Sequence, residues 1–134
     1  MIKLIVGSKG SGKTKTMIEM INAAAATTPG NIVCIEKCMK LTYDVNHAVR
    51  LIDVDEYNIS GYDTLYGFIS GILAGNYDIV EIYLDGVLKI GNHDLEGLGD
   101  LLDRLDKLTG DSTKLIVTVS AGEEVLPENV KKYK

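Results

Sequence analysis

A chain of 134 residues with 46% apolar composition is long enough for one domain around a continuous core, which excludes a disordered segment. Its formal net charge of −5 gives no general attraction for nucleic acid or anionic lipid, so nucleic acid is not an expected partner. No apolar run approaches the length of a membrane span, and Met1 stands directly before the first predicted strand, so a soluble cytoplasmic protein without a signal peptide is expected.

Ile2 to Val6 is a short β-branched run closed by Gly7, the pattern of a buried strand. A helix is predicted from about Lys13, with Met17, Ile18, Ile21, Ala24 and Ala25 on one face and TTPG at 27–30 as its stop. Ile32 to Ile35 reads as a second buried strand. Cys34 falls within it as a buried thiol and Cys38 just beyond as a loop thiol, both expected to stay reduced. The polar stretch from Glu36 to Ala48, including Tyr43, has no period and reads as loop.

Leu51 to Val54 is a weaker third strand, marred by Asp53. Ser60 followed by Asp63 has the spacing of a capping box, opening a helix that buries Leu65, Phe68, Ile69, Ile72 and Leu73. Gly67, Gly71 and Gly75 recur in it every four residues, and close packing on the sheet is the expected reason. Ile79 to Leu84 is a fourth strand, in which alternation places Ile79, Glu81 and Asp85 on one side and Val80, Ile82 and Leu84 on the other. Asn92 or Asp94 caps a helix with an unbroken leucine stripe from Leu95 to Leu108, ended by Gly110. Leu115 to Val119 is the fifth strand. Alternating strands and helices with short connections predict an α/β fold: a parallel five-stranded sheet flanked by helices, a three-layer sandwich forming a single domain over residues 1–134.

Between the first strand and its helix lies GSKGSGKT, where Gly7, Gly12, Lys13 and Thr14 satisfy G-x-x-x-x-G-K-S/T in the strand-to-helix setting that the motif requires. Phosphate binding needs backbone N–H groups converging on oxygen, and glycine permits both the dihedrals and the close approach. The cradle runs from Gly7 through Ser8, Lys9, Gly10 and Ser11 to Gly12, with Lys13, Thr14 and Lys15 opening the helix. The helix adds its unpaired N–H groups, Lys13 reaches the β and γ phosphates, and Thr14 offers a hydroxyl to Mg²⁺. A carboxylate at a neighbouring strand end completes the metal site. Asp85 is favoured for it, with Asp55 and Glu56 as the competing candidates, because Asp53 would be costly in a strand buried on both faces.

With these motifs the chain resembles the P-loop nucleoside triphosphatases, GSKGSGKT standing as Walker A and IYLDG as Walker B. LIVTVSAG followed by LPENVKKY resembles the sensor strand of the RecA-like branch, which implies that Ser120 touches the γ phosphate. The whole chain is similar to short bacterial proteins labelled ATP-binding or twitching-motility (PilT-type), although pilus-retraction ATPases carry a further domain and acidic and histidine boxes that 134 residues cannot hold. The guanine-reading N-K-x-D segment is absent, so ATP is expected over GTP. RecA-like hydrolases resemble one another in a glutamate at or near the residue after the Walker B aspartate, but here that residue is Gly86. Glu81 or Glu56 then supplies the base, or a partner chain does, or hydrolysis is slow and the nucleotide is a ligand. Arg50 and Arg104 are the only arginines, so an arginine finger is equally scarce. The expectation is an ATP-Mg²⁺ binding protein whose hydrolysis is weak or depends on a homo-oligomer or another protein. The alternative is a non-hydrolysing, nucleotide-dependent adaptor, and a small-molecule or nucleotide kinase stands third.

Overall fold

The computed structural model describes residues 1–37 and 44–134; Cys38 and Tyr43, read from sequence as loop residues, lie outside them. Five strands form one sheet: β1 (Ile2–Gly7), β2 (Asn31–Glu36), β3 (Arg50–Asp53), β4 (Ile79–Leu84) and β5 (Lys114–Ser120). All pairings are parallel, in the order β1-β5-β4-β2-β3, so β4 is the middle strand. The longer helices are α1 (Lys13–Thr27), α2 (Tyr62–Gly75) and α4 (Leu95–Thr109), with single turns α3 (Val87–Ile90) and α5 (Glu128–Lys131).

The order explains the layers. The path β1 to β2 to β3 moves one way along the sheet, and β3 to β4 to β5 moves back. Right-handed crossovers then put the first connections on one face and the later ones on the other. Accordingly Met17 and Ile21 of α1 share a smaller core with Val45, Val49 and the strand residues Ile32, Cys34, Tyr83 and Ile116. On the opposite face Leu65 and Ile69 of α2 and the α4 stripe Leu98, Leu101, Leu102 and Leu105 build a larger one on Val33, Ile35, Ile82, Leu84, Leu115 and Val117. The edge of β1 is not left open, because the Leu4 N–H donates to the Tyr133 carbonyl at 3.2 Å.

Several expectations shift. β3 runs from Arg50 to Asp53 and Val54 opens a 3-10 turn (Val54–Tyr57). Asp53 is tolerated because β3 is an edge strand and its carboxylate caps that turn, accepting from the Asp55 N–H at 3.0 Å. The Ser60–Asp63 capping box does not form: Gly61 precedes α2 without a side-chain cap, and Asp63 instead meets Arg104 at 2.7 Å. For α4, Asp94 is the cap, accepting from Gly97 N–H at 3.0 Å. In β4 the pairing with β2 slips at Val80, since Asn31 pairs Ile79 while Ile32 pairs Glu81. Ile79 therefore joins the larger core with Ile82 and Leu84, on the face opposite Tyr83. No helix among the described residues is long and apolar enough to cross a membrane.

The α2 glycines are not packed against the sheet. A Cβ added at Gly67, Gly71 or Gly75 would meet nothing within 4 Å, and Gly71 and Gly75 line an open groove near the amino ends of β2 and β3. Interior glycine costs a helix about 0.5–1 kcal/mol relative to alanine. Gly67→Ala and Gly71→Ala are therefore each expected to stabilise the protein by about that amount, read as a higher urea midpoint; a lowered midpoint would show the ridge to be a packing surface.

Candidate functional site

At the carboxyl ends of the strands a cavity of about 420 Å³ opens between the β1–α1 loop, the ends of β4 and β5, and α3. Open parallel sheets characteristically bind ligands at this end, where connections leave to opposite faces. Lys9, Gly10, Lys13 and Thr14 line it from the loop, Asp85 and Gly86 from β4, and Thr118 and Ser120 from β5. Residues far apart in sequence thus meet because Gly7 pairs Ser120 and Leu84 pairs Val117 across adjacent strands.

The loop is built by close approach. A Cβ on Gly7 would collide with the Ser11 hydroxyl, and Gly12, the residue before α1, has φ 90°. The turn is closed by Ser11 N–H donating to the Ser8 carbonyl at 3.1 Å. No side chain caps α1 and no acid lies in its first turn, which leaves its amino end free to act on an anion. Lys13 is only 8% exposed, yet its ammonium donates to the Ser8 carbonyl at 3.0 Å and pairs with no carboxylate among the described residues. An ammonium has three protons to donate, so a buried one held by a neutral carbonyl retains capacity for an anionic acceptor. Gly7, Ser8, Ser11 and Gly12 shape the loop without lining the cavity, and Lys15 is exposed outside it.

Asp85 is fixed twice: its N–H donates to the Ile35 carbonyl at 2.9 Å, and its carboxylate accepts from the Thr118 hydroxyl. Thr118 is buried, and sequence reading passed over it as one more residue of an apolar strand. Its signal was the polar side chain two places before Ser120, on the same side of β5. Beyond Asp85, Gly86 adopts φ 84° and turns the chain into α3, a turn that sequence reading also missed; Val87, Leu88, Lys89 and then His93 complete the wall.

The rival acids stand apart. Asp55 and Glu56 follow edge strand β3, two strands from β4 and roughly 10 Å away at strand spacing. Asp55 meets Lys37 at 2.6 Å, and neither acid lines the cavity. Glu81 does not join the site either. It lies four residues before Asp85, roughly 13 Å back along the strand, level with Lys114 at the start of β5, and accepts from the Tyr83 hydroxyl at 2.6 Å. Burial and the Glu81 carboxylate push the Tyr83 phenol up, which keeps that hydrogen donated. Glu36 is the acid that sequence reading missed. It is the last residue of β2, 1% exposed, and the rung after Ile35–Leu84 sets it beside Asp85. Burial first, then the Glu36 and Asp85 charges, push the Cys34 thiol up, so both acids act on this one strand position.

Among the described residues Lys9, Lys13, Lys37 and Lys89 line the cavity with Asp85 as its one acid, Lys37 being paired with Asp55 outside it, in a chain of net charge −5. A cavity so charged suits a polyanion together with a cation that Asp85 and Thr14 could share. Comparisons with protein-family models and with curated proteins found no match.

Alanine at position 86 would hold a side chain in the left-handed region with its Cβ 3.4 Å from that of Lys37. Gly86→Ala is expected to cost about 1–2 kcal/mol of stability, measured by urea unfolding; an unchanged midpoint would mean that the turn relaxes out of positive φ.

Proposed function

We propose that the chain is a P-loop protein of RecA-like type that binds ATP with Mg²⁺ in the cytoplasm and hydrolyses it weakly or with the help of a partner, a second copy or another protein. The observation that carries this reading is the meeting of Lys13, Thr14 and Asp85 at one cavity, with a buried lysine ammonium that no carboxylate among the described residues pairs. Gly10 with the amino end of α1 cradles the phosphates, Ser11 and Gly12 shaping the loop behind it, and Lys13 neutralises them. Thr14 and Asp85 would hold Mg²⁺, which offsets charge on the transferring phosphoryl group. Thr118 keeps the Asp85 carboxylate aimed, and Ser120 faces the terminal phosphate. Among the described residues Asp85 is the one acid that lines the cavity, so the group that orients the attacking water is assigned to the partner.

A binding-only reading is favoured by one observation: both arginines are remote. Arg50 begins β3 and lines the groove near the amino ends of β2 and β3, while Arg104 pairs with Asp63 and lies 4.1 Å from the centre of the Tyr66 ring. In that case the nucleotide orders an interface for another protein.

Titration with fluorescent ATP and Mg²⁺ is expected to saturate and to be abolished by Lys13→Ala, whereas Asp85→Asn should remove the dependence on Mg²⁺ while retaining weak binding. No saturable signal in the parent protein would end the nucleotide reading. Phosphate release above the Lys13→Ala background separates hydrolysis from binding alone.

A further inference from the structure

The cations around the cavity are not equivalent. Lys13 is tied to the Ser8 carbonyl and Lys37 to Asp55, while Lys9 rides on the glycine loop. Lys89 sits on α3, whose other three residues, Val87, Leu88 and Ile90, are buried in the larger core. The turn is pinned at its end as well: the Gly61 N–H donates to the Ile90 carbonyl at 2.8 Å and the His93 N–H to the Leu88 carbonyl at 2.7 Å. The Lys89 backbone is therefore held at the cavity wall by its neighbours. Its side chain is exposed and makes no hydrogen bond or ion pair among the described residues. A solitary lysine on a surface turn is ordinarily solvated and idle. Lys89 differs because it lines the same cavity as Lys13 and Thr14, from the turn that follows β4, whereas those two open α1 after β1. One oligophosphate in that cavity would have both cations on its walls, with Ser120 of the intervening strand β5 beside them.

We propose that Lys89 contacts the terminal phosphate of the bound nucleoside triphosphate and supplies, within the same chain, the positive charge that an arginine from a partner would otherwise bring. This rests on the phosphate reading of the Gly7–Thr14 loop. The amino end of α1 holds the inner phosphates and Lys13 the β and γ, so ADP keeps most of these contacts. Lys89 discriminates triphosphate from diphosphate. A point charge on a four-carbon stem does this less rigidly than a guanidinium fork, and arginine at the same position would serve.

The test compares affinities of a non-hydrolysable ATP analogue and of ADP, each with Mg²⁺, for the parent protein, Lys89→Met, Lys89→Arg and Lys13→Ala. A charge-assisted contact to phosphate predicts that Lys89→Met weakens the triphosphate about tenfold or more, leaves ADP unchanged, and that Lys89→Arg retains the preference. Lys13→Ala should lose both nucleotides. Should Lys89→Met keep the triphosphate preference while Lys13→Ala abolishes binding, the Lys89 assignment fails alone and the cradle stands. Equal weakening of both nucleotides by Lys89→Met, or a fall in its urea midpoint that accounts for the loss, likewise overturns the assignment in favour of a structural role. If the parent protein binds neither nucleotide saturably, the phosphate cradle itself fails and Lys89 with it.

Discussion

The handedness of the parallel crossovers governs the rest of the molecule. Because β1 leads to β2 across the places later filled by β5 and β4, α1 must lie on one face and α2 and α4 on the other. The connections leaving β1 and β4 consequently part, and a cavity remains at the carboxyl ends between them. Nothing in the local chemistry of the glycine loop could create that opening. The loop only decides what the opening is lined with.

Sequence made the strands and the long helices legible because their periods are strong. The α1 face of Met17, Ile18, Ile21, Ala24 and Ala25 and the α4 leucine stripe lie where spacing put them. Asp85 could be read because an acid ending a clean apolar run announces a strand end. What failed depended on pairing rather than period. The slip at Val80 moves Ile79 across the sheet, and no alternation rule within one strand can see it, because it arises from register with β2. Glu36 was read as the first residue of a loop although it is the last of β2; one residue of boundary error hid a buried acid beside Asp85. The α3 turn is too short to carry a period, and three of its four residues are apolar because they anchor it. The α2 glycines show the reverse error: a regular spacing invited an account in terms of close packing, while the space beside them is open.

Charge is distributed against the average of the chain. Nineteen acids outweigh fourteen lysines and arginines over the whole sequence, yet among the described residues four lysines and one carboxylate line the same cavity. Repulsion among such lysines and the poor solvation of the Lys13 ammonium oppose the arrangement, so it persists because the fold determines each position independently. Lys13 is set by the start of α1, Lys37 by the end of β2, and Lys89 by the anchored α3 turn. Lys37 is offset by Asp55, whereas Lys13 and Lys89 pair with no carboxylate among the described residues.

The carboxyl ends of β5, β4, β2 and β3 present Thr118, Asp85, Glu36 and Asp53 in one row, for the pairings Ile35–Leu84 and Glu36–Asp53 set neighbouring strands level. Each member has a different neighbour to answer to. Thr118 donates to Asp85, whereas Asp53 is spent on capping the 3-10 turn after β3. The row therefore runs from a cavity-lining end at Thr118 and Asp85 to a structural end at β3, with Glu36 buried between them.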